Sequence, residues 1–245
     1  MIFLRSLLFN LQFYLGTSIL VTICLPCLLF PRKVVIFVNK MWCFIMTKGM
    51  KWWLNTDIKI IGQIPSKNRV VIYAIKHQSA WETVFCTNLF SMPSIVLKKA
   101  LIFLPVIGLY FLRAGAIPIS RDQGLNALRK MGRNAQKAVK ENRSMMIFPQ
   151  GTRVNPGVSS KEKPYLPGVF FLYSQARVPV IPVAHNAGLL WPKNSFFKYP
   201  YKLRSKSVTI QILPEIQPGL SKQEFLTRLE NIMETASNKL IKLEN

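Results

Sequence analysis

Acidic side chains are scarce. The 245-residue chain has ten Asp and Glu against thirty-three Lys and Arg, for a net charge of +23 and a pI near 10.3. No carboxylate precedes Asp57, and Glu82 stands alone between Asp57 and Asp122. An arginine here therefore has few carboxylates to pair with. Histidine is scarcer still, with two residues, His77 and His185. Four cysteines give no ground for a redox pair or a zinc site. Cys24 and Cys27 have CxxC spacing but sit in an uncharged apolar run with no second pair, and Cys43 and Cys86 are isolated, as in a reducing cytoplasm. Internal repeats and low-complexity linkers are also missing.

Apolar residues are abundant. Half of the chain is hydrophobic, an unusual companion to so basic a balance. Nucleic-acid binders share the charge but rarely the greasiness, so the pair points to an anionic membrane surface rather than to nucleic acid. Ser6 to Pro31 carries no charge and is flanked by Arg5 and by Arg32-Lys33, which is long enough to span or enter a bilayer. No small-x-small cleavage site ends it. A second apolar piece, Val34 to Thr47, is broken by Lys40 and followed by Lys48, Lys51 and Trp52-Trp53, an interfacial signature. The excess of positive charge after the run places the downstream domain on the cytoplasmic side. Hydropathy leaves open a single span or a two-helix hairpin in one leaflet. The expected division is an anchoring segment, 1–50, and a globular domain, 51–245.

From Asp57 onward apolar runs alternate with helix-like segments, the pattern of an α/β domain with a mixed sheet flanked by helices. The strands expected are Ile58–Ile61, Val70–Ile75, Ile95–Leu97, Ile117–Ile119, Met145–Phe148, Val180–Val183 and Val208–Leu213. Helices are expected over Ala80–Phe90, Asp122–Asn142, Gly168–Gln175 and Ser221–Leu243, the last opened by a Ser221/Glu224 capping box. Prolines 179 and 182 suggest that the Val180 strand lies at a sheet edge. Lys98 to Gly115 is apolar but broken by Pro105 and Gly108. It reads as part core and part exposed wall, with Lys98 or Lys99 facing anionic groups.

The stretch from Ile72 to Thr83 bears the chemistry. An apolar run stops, His77 comes next, and a helix starts with Glu82 in its first turn. Residues five apart do not share a helix face, so the two meet if His77 lies on the turn before the helix. Two readings stand. Ser79-Ala80-Trp81-Glu82 is a capping box, with Glu82 folded onto the Ser79 amide. Alternatively Glu82 sets the tautomer of His77 and stabilises its imidazolium while His77 acts as a general base. His185 has no acidic neighbour in sequence and takes a structural or surface role. Arg121 closes an apolar strand and Arg153 follows a Gly-Thr turn after the Met145 strand, positions suited to a phosphate, although a surface salt bridge or solvated end is the commoner meaning of either alone.

The order of His77-x-x-x-x-Glu82, Gly115-Ala-Ile-Pro-Ile-Ser-Arg121, Phe148-Pro-Gln-Gly-Thr-Arg153 and Val178-Pro-Val-Ile-Pro-Val183 resembles the four blocks of the glycerolipid acyltransferase family, and within it the bacterial 1-acyl-glycerol-3-phosphate branch. The resemblance covers about residues 65 to 190. It implies a membrane-associated enzyme on the cytoplasmic face of a bacterial inner membrane. A fatty acyl group would pass from acyl-CoA or acyl-carrier protein to lysophosphatidic acid, giving phosphatidic acid, with no cofactor and no metal. Another lysolipid, or glycerol 3-phosphate, is the alternative acceptor, and a catalytically inactive relative the alternative role. His77 and Glu82 are the implied catalytic pair, and Arg121, Gln150, Gly151, Thr152 and Arg153 the implied substrate contacts; Lys98, read above as facing anionic groups, joins them as a candidate, and the charge balance makes anionic lipids the expected surface. Glu82 replaces the family's usual Asp, and Gln150 its usual Glu.

Overall fold

The computed structural model describes residues 1–120 and 124–244. The chain opens with two helices, α1 (Ile2–Ile23) and α2 (Arg32–Leu54), joined by a short 3-10 turn. They fold against each other. Trp42 Nε1 donates to Thr17 Oγ1 at 2.9 Å, and Gln12 accepts from Trp53 Nε1 and donates to the Ile45 carbonyl. The arrangement is therefore a hairpin. Its inner side packs on the domain through Phe9, Met50 and Leu54, so α2 runs through residue 50 without a break. Its outer side leaves Phe3, Tyr14, Leu15, Ile23, Phe37 and Phe44 exposed, an apolar face too large to be ordinary protein surface. By length and composition α1 is also apolar enough to cross a bilayer. Such a face suits association with a membrane. Trp52 is exposed at its end, whereas Trp53 is turned inward onto Gln12.

Among the described residues the domain is built on a seven-stranded sheet, ordered β1-β7-β6-β2-β5-β3-β4. The strands are β1 (Asp57–Ile61), β2 (Ile72–Ile75), β3 (Ser94–Lys98), β4 (Ile117–Ile119), β5 (Met145–Ile147), β6 (Val180–His185) and β7 (Ser207–Ile212). Every neighbouring pair is parallel except β6 and β7. Helices cover both faces, which is why the central strands read as unbroken apolar runs. Along β2, Ile72 and Ala74 face a core formed with α5 (Gly124–Lys140), α6 (Gly168–Ala176) and α8 (Lys222–Lys242). Tyr73 and Ile75 face the other core, shared with Phe9, Leu54, Trp81 and Trp191. A short α4 (Ile107–Arg113) and a four-residue α7 (Ala187–Leu190) complete the set.

Two local expectations need correction. Strand β6 is central, between β7 and β2. Pro182 is tolerated there because its carbonyl, and hence its missing N–H, faces Leu213, just past the end of β7, rather than the β2 ladder. The helix after His77, α3 (Trp81–Leu89), has Ala80 rather than Ser79 as its N-cap. Ser79 Oγ accepts from the Trp81 amide, leaving the hydroxyl half of the expected box unmade. The box at Ser221 and Glu224 has both halves. The Lys98–Gly115 stretch is mixed as expected: Tyr110 is buried, and Phe103, Leu109 and Leu112 are exposed.

Candidate active site

Strand β2 ends at Ile75, and the turn beyond it brings His77 and Glu82 together. His77 Nδ1 lies 2.7 Å from Glu82 Oε1. The carboxylate is wholly buried and also accepts the Gln78 and Ser79 amides at 2.9 Å each. Glu82 thus closes the turn and holds the imidazole with the same oxygen. Burial alone would push its carboxyl up; His185, His77 and the Ser79 amide outweigh that and hold it below the ordinary value. The ionised form is therefore the one facing His77, so the Nδ1 proton sits in this contact and the Nε2 lone pair is left for chemistry. The ring lies flat on Phe148, with centroids 4.0 Å apart, and remains 17% exposed toward a cavity.

His185 is close behind. It is fully buried at the end of β6, with Nε2 2.6 Å from the Lys76 carbonyl and 3.8 Å from Glu82 Oε2. Nδ1 accepts the Ala187 amide, so the proton is on Nε2. Burial pushes the pKa of His185 down, more than the adjacent Glu82 raises it. The folded chain thus holds this histidine neutral at a pH where the unfolded chain protonates it. Stability from this group is full above about 6.5 and falls by roughly 1.4 kcal/mol per pH unit as pH drops below that value, down to the lower folded pKa. Thermal midpoints in detergent between pH 7.5 and 5 should show the decline, and His185→Gln should flatten it. An equally steep variant would place the titration elsewhere.

The cavity encloses about 880 Å³. His77, Lys98, Gly151, Thr152, Arg153 and Lys193 line it together with an apolar wall that includes Leu97, Leu101, Phe111 and Leu128. Cations and apolar surface thus converge on the one histidine able to act as a base. Arg153 Nη2 donates to Asn194 Oδ1 at 3.4 Å. Gln150 is not on the wall. It is buried beneath, and its amide finds no hydrogen-bond partner among the described residues. Arg121 lies outside the described residues. Among those described, no group of three or more His, Cys, Asp or Glu is placed to share a metal ion.

Sequence reasoning missed four contributors. Phe148 was visible as the first residue of a motif, but its stacking on His77 was not. Lys193 and Asn194 lie in a loop more than a hundred residues from His77, with no local signal. Lys76, 2% exposed, is paired at 2.5 Å with Glu234 of α8, which also accepts from Tyr165 Oη. The segment after Arg153 is tied down where it starts, because the Val154 amide donates to the His77 carbonyl.

Comparison with known proteins identifies the family. A family model described as Acyltransferase matches residues 57–186. The 1-acyl-sn-glycerol-3-phosphate acyltransferase of Pseudomonas aeruginosa is 34% identical over 166 residues, which is 67% of this chain and 63% of that protein. The enzyme of the same name from Saccharomyces cerevisiae is 25% identical over 151 residues, 60% of this chain and 50% of that one. The chain thus spans between half and two thirds of the length of these curated relatives. The crystal structure of the 1-acyl-sn-glycerophosphate (LPA) acyltransferase from Thermotoga maritima has the same fold, with a TM-score of 0.74, 21% identity and 98% of each chain covered. The chain belongs to the acyltransferase family.

Proposed function

We propose that the protein is a 1-acyl-sn-glycerol-3-phosphate acyltransferase, moving a fatty acyl group from acyl-CoA or acyl-carrier protein to lysophosphatidic acid. The observation that carries this reading is the placement of the His77–Glu82 pair where a basic cavity mouth meets an apolar wall. The names of the relatives support it. His77 Nε2 takes the proton of the acceptor hydroxyl, and the oxygen attacks the thioester carbon. The tetrahedral adduct collapses, the C–S bond breaks, and the thiolate recovers the proton from the imidazolium. Glu82 stabilises that cation throughout. Lys98 and Arg153, with Arg121, Gly151 and Thr152, take the acceptor's phosphate; the apolar wall takes an acyl chain. Gln150, buried and with no hydrogen-bond partner for its amide among the described residues, adjoins this phosphate site through Gly151. The hairpin anchors residues 51–245 at the cytoplasmic face of the membrane, where anionic lipids meet the basic surface.

Arg153→Ala tests the acceptor assignment. Losing a charge-assisted phosphate contact costs about 1.5–3 kcal/mol, roughly a 10- to 150-fold rise in KM for lysophosphatidic acid. The KM for the thioester should stay within about threefold. A rise confined to the thioester would move Arg153 to the donor's phosphates and overturn the assignment. Wild-type protein in detergent, given labelled thioesters and a panel of lysolipids, reports which acceptor is used. No turnover of any pair would overturn the enzymatic reading.

A further inference from the structure

The loop after α7, residues 191–206, is left unexplained by the chemistry. It contains no acidic residue, and its aromatic rings form a chain that begins on the hairpin. Phe3 of α1 meets Phe196 with centroids 5.9 Å apart. Contacts of 5.4, 6.3 and 5.8 Å then lead through Phe197 and Tyr199 to Tyr201. Phe197 and Tyr201 are 40% and 60% exposed, and Phe3 is 59% exposed at the near end. Beside the rings, Lys202 and Arg204 face solvent. The loop cannot drift from the hairpin. Lys198 is buried, with Nζ bonded to Asn10 Oδ1 at 2.8 Å and set over the Trp191 ring at 4.7 Å, and its amide donates to Ser6 Oγ. Ser6 and Asn10 are the buried polar side chains of α1, and both are spent on this loop. At its other end the loop places Lys193 on the cavity wall and Asn194 against Arg153.

We propose that residues 191–206 form a second bilayer contact, an aromatic and basic strap continuous with the hairpin's lipid face, which binds anionic headgroups and sets the cavity mouth at headgroup depth. The occupant is a lipid surface for two reasons. The aromatic chain extends an apolar face already turned to the membrane, and exposed rings interleaved with cations suit the headgroup boundary. Anionic lipid complements a segment carrying only positive charge. A soluble acidic partner would not need the exposed rings to continue those of α1. The proposal rests on the reading of the acceptor as a bilayer lipid, and one arm of its test is independent of that reading.

The full chain in nanodiscs with roughly one anionic lipid in four is labelled with an environment-sensitive dye at Phe197→Cys or, as a control, at Lys222→Cys on the exposed start of α8. Wild-type protein, taken through the same labelling, corrects for the native cysteines. Brominated acyl chains should quench the label at 197 and aqueous iodide should not, with the reverse at 222. Iodide quenching at 197 equal to that at 222 overturns the contact. In the second arm, the quadruple variant Phe197→Ser, Tyr201→Ser, Lys202→Ser, Arg204→Ser should lose about tenfold in rate on vesicle-embedded lysophosphatidic acid. It should stay within about twofold of wild type on a monomeric short-chain acceptor, with its melting temperature retained. An unchanged vesicle rate, or an equal loss on both acceptors, overturns the proposal. If wild type turns over neither acceptor, the acceptor reading fails, while the quenching arm still decides the contact.

Discussion

Glu82→Gln should lower kcat by a factor of roughly 10³–10⁴, because an amide cannot stabilise the imidazolium that forms as His77 takes a proton. His77→Ala should lose at least as much. The two differ in stability. His77 is partly exposed and its removal opens no core, so its melting temperature should stay close to wild type. Glu82 is wholly buried and receives the Ser79 amide on both oxygens, at 2.9 and 3.0 Å. An amide nitrogen in place of one of them would face an N–H donor. A loss of about 1–3 kcal/mol is therefore expected, the cost of a buried donor left without an acceptor. This is more than a helix cap would suggest, since Gln normally serves a capping box as well as Glu. Glu82→Asp keeps the charge on a shorter arm and should retain measurable activity. Measurement of kcat and melting temperature on the three variants decides the role. If the Gln enzyme turns over within tenfold of wild type, Glu82 merely ties the turn, and His77 must have another partner.

The pair was legible because its parts are five residues apart and the apolar run ahead of it ends so abruptly. The seven strands were legible for a related reason. In a parallel sheet covered on both faces, each strand must be apolar throughout, and Ile72–Ile75 and Met145–Ile147 are buried at every position. Local sequence could not supply the order of the strands. The proline rule placed Val180–Val183 at an edge, yet the same strand is central, because a missing N–H matters only where a neighbour needs it. Nor could sequence say that Ser79 would turn its hydroxyl to Trp81. The tight turn that draws the Glu82 carboxylate onto Gln78 and Ser79 starts the helix one residue later.

The hairpin shows the same limit from another side. Hydropathy identified Ser6 to Pro31 as a membrane segment but could not choose between a span and a hairpin. Contacts distant in sequence decide it, Trp42 on Thr17 and Phe9 edge-on to Trp191 at 5.3 Å. The second contact also makes the hairpin part of the domain's core, so hairpin and domain share one hydrophobic unit. Such packing fixes the hairpin relative to the cavity more firmly than a flexible tether would.

Lys76 and Glu234 are 158 residues apart in sequence and carry the second large expected effect. Lys76 is almost completely buried, and its Nζ lies 2.5 Å from Glu234 Oε1, the oxygen that also accepts from Tyr165 Oη at 2.8 Å. The pair joins the residue just before His77 to the middle of α8. Glu234→Ala leaves an ammonium in the core with no countercharge, which typically costs about 3–5 kcal/mol. Lys76→Met leaves Glu234 16% exposed, better able to reach water, and should cost less. The double variant Lys76→Met, Glu234→Leu fills the same space without charge and should return to within about 1–2 kcal/mol of wild type. Its turnover should also survive. The backbone of Lys76 is held separately, its amide donating to Val183 O at 3.1 Å and its carbonyl accepting from His185. The measurement is a double-mutant cycle of unfolding midpoints in detergent, with kcat recorded on each variant. A loss below about 1 kcal/mol in Glu234→Ala would mean that Lys76 finds water or another acceptor when its partner is gone. If instead the double variant is stable but inactive, the ion pair positions His77, and the backbone bonds are insufficient to hold it.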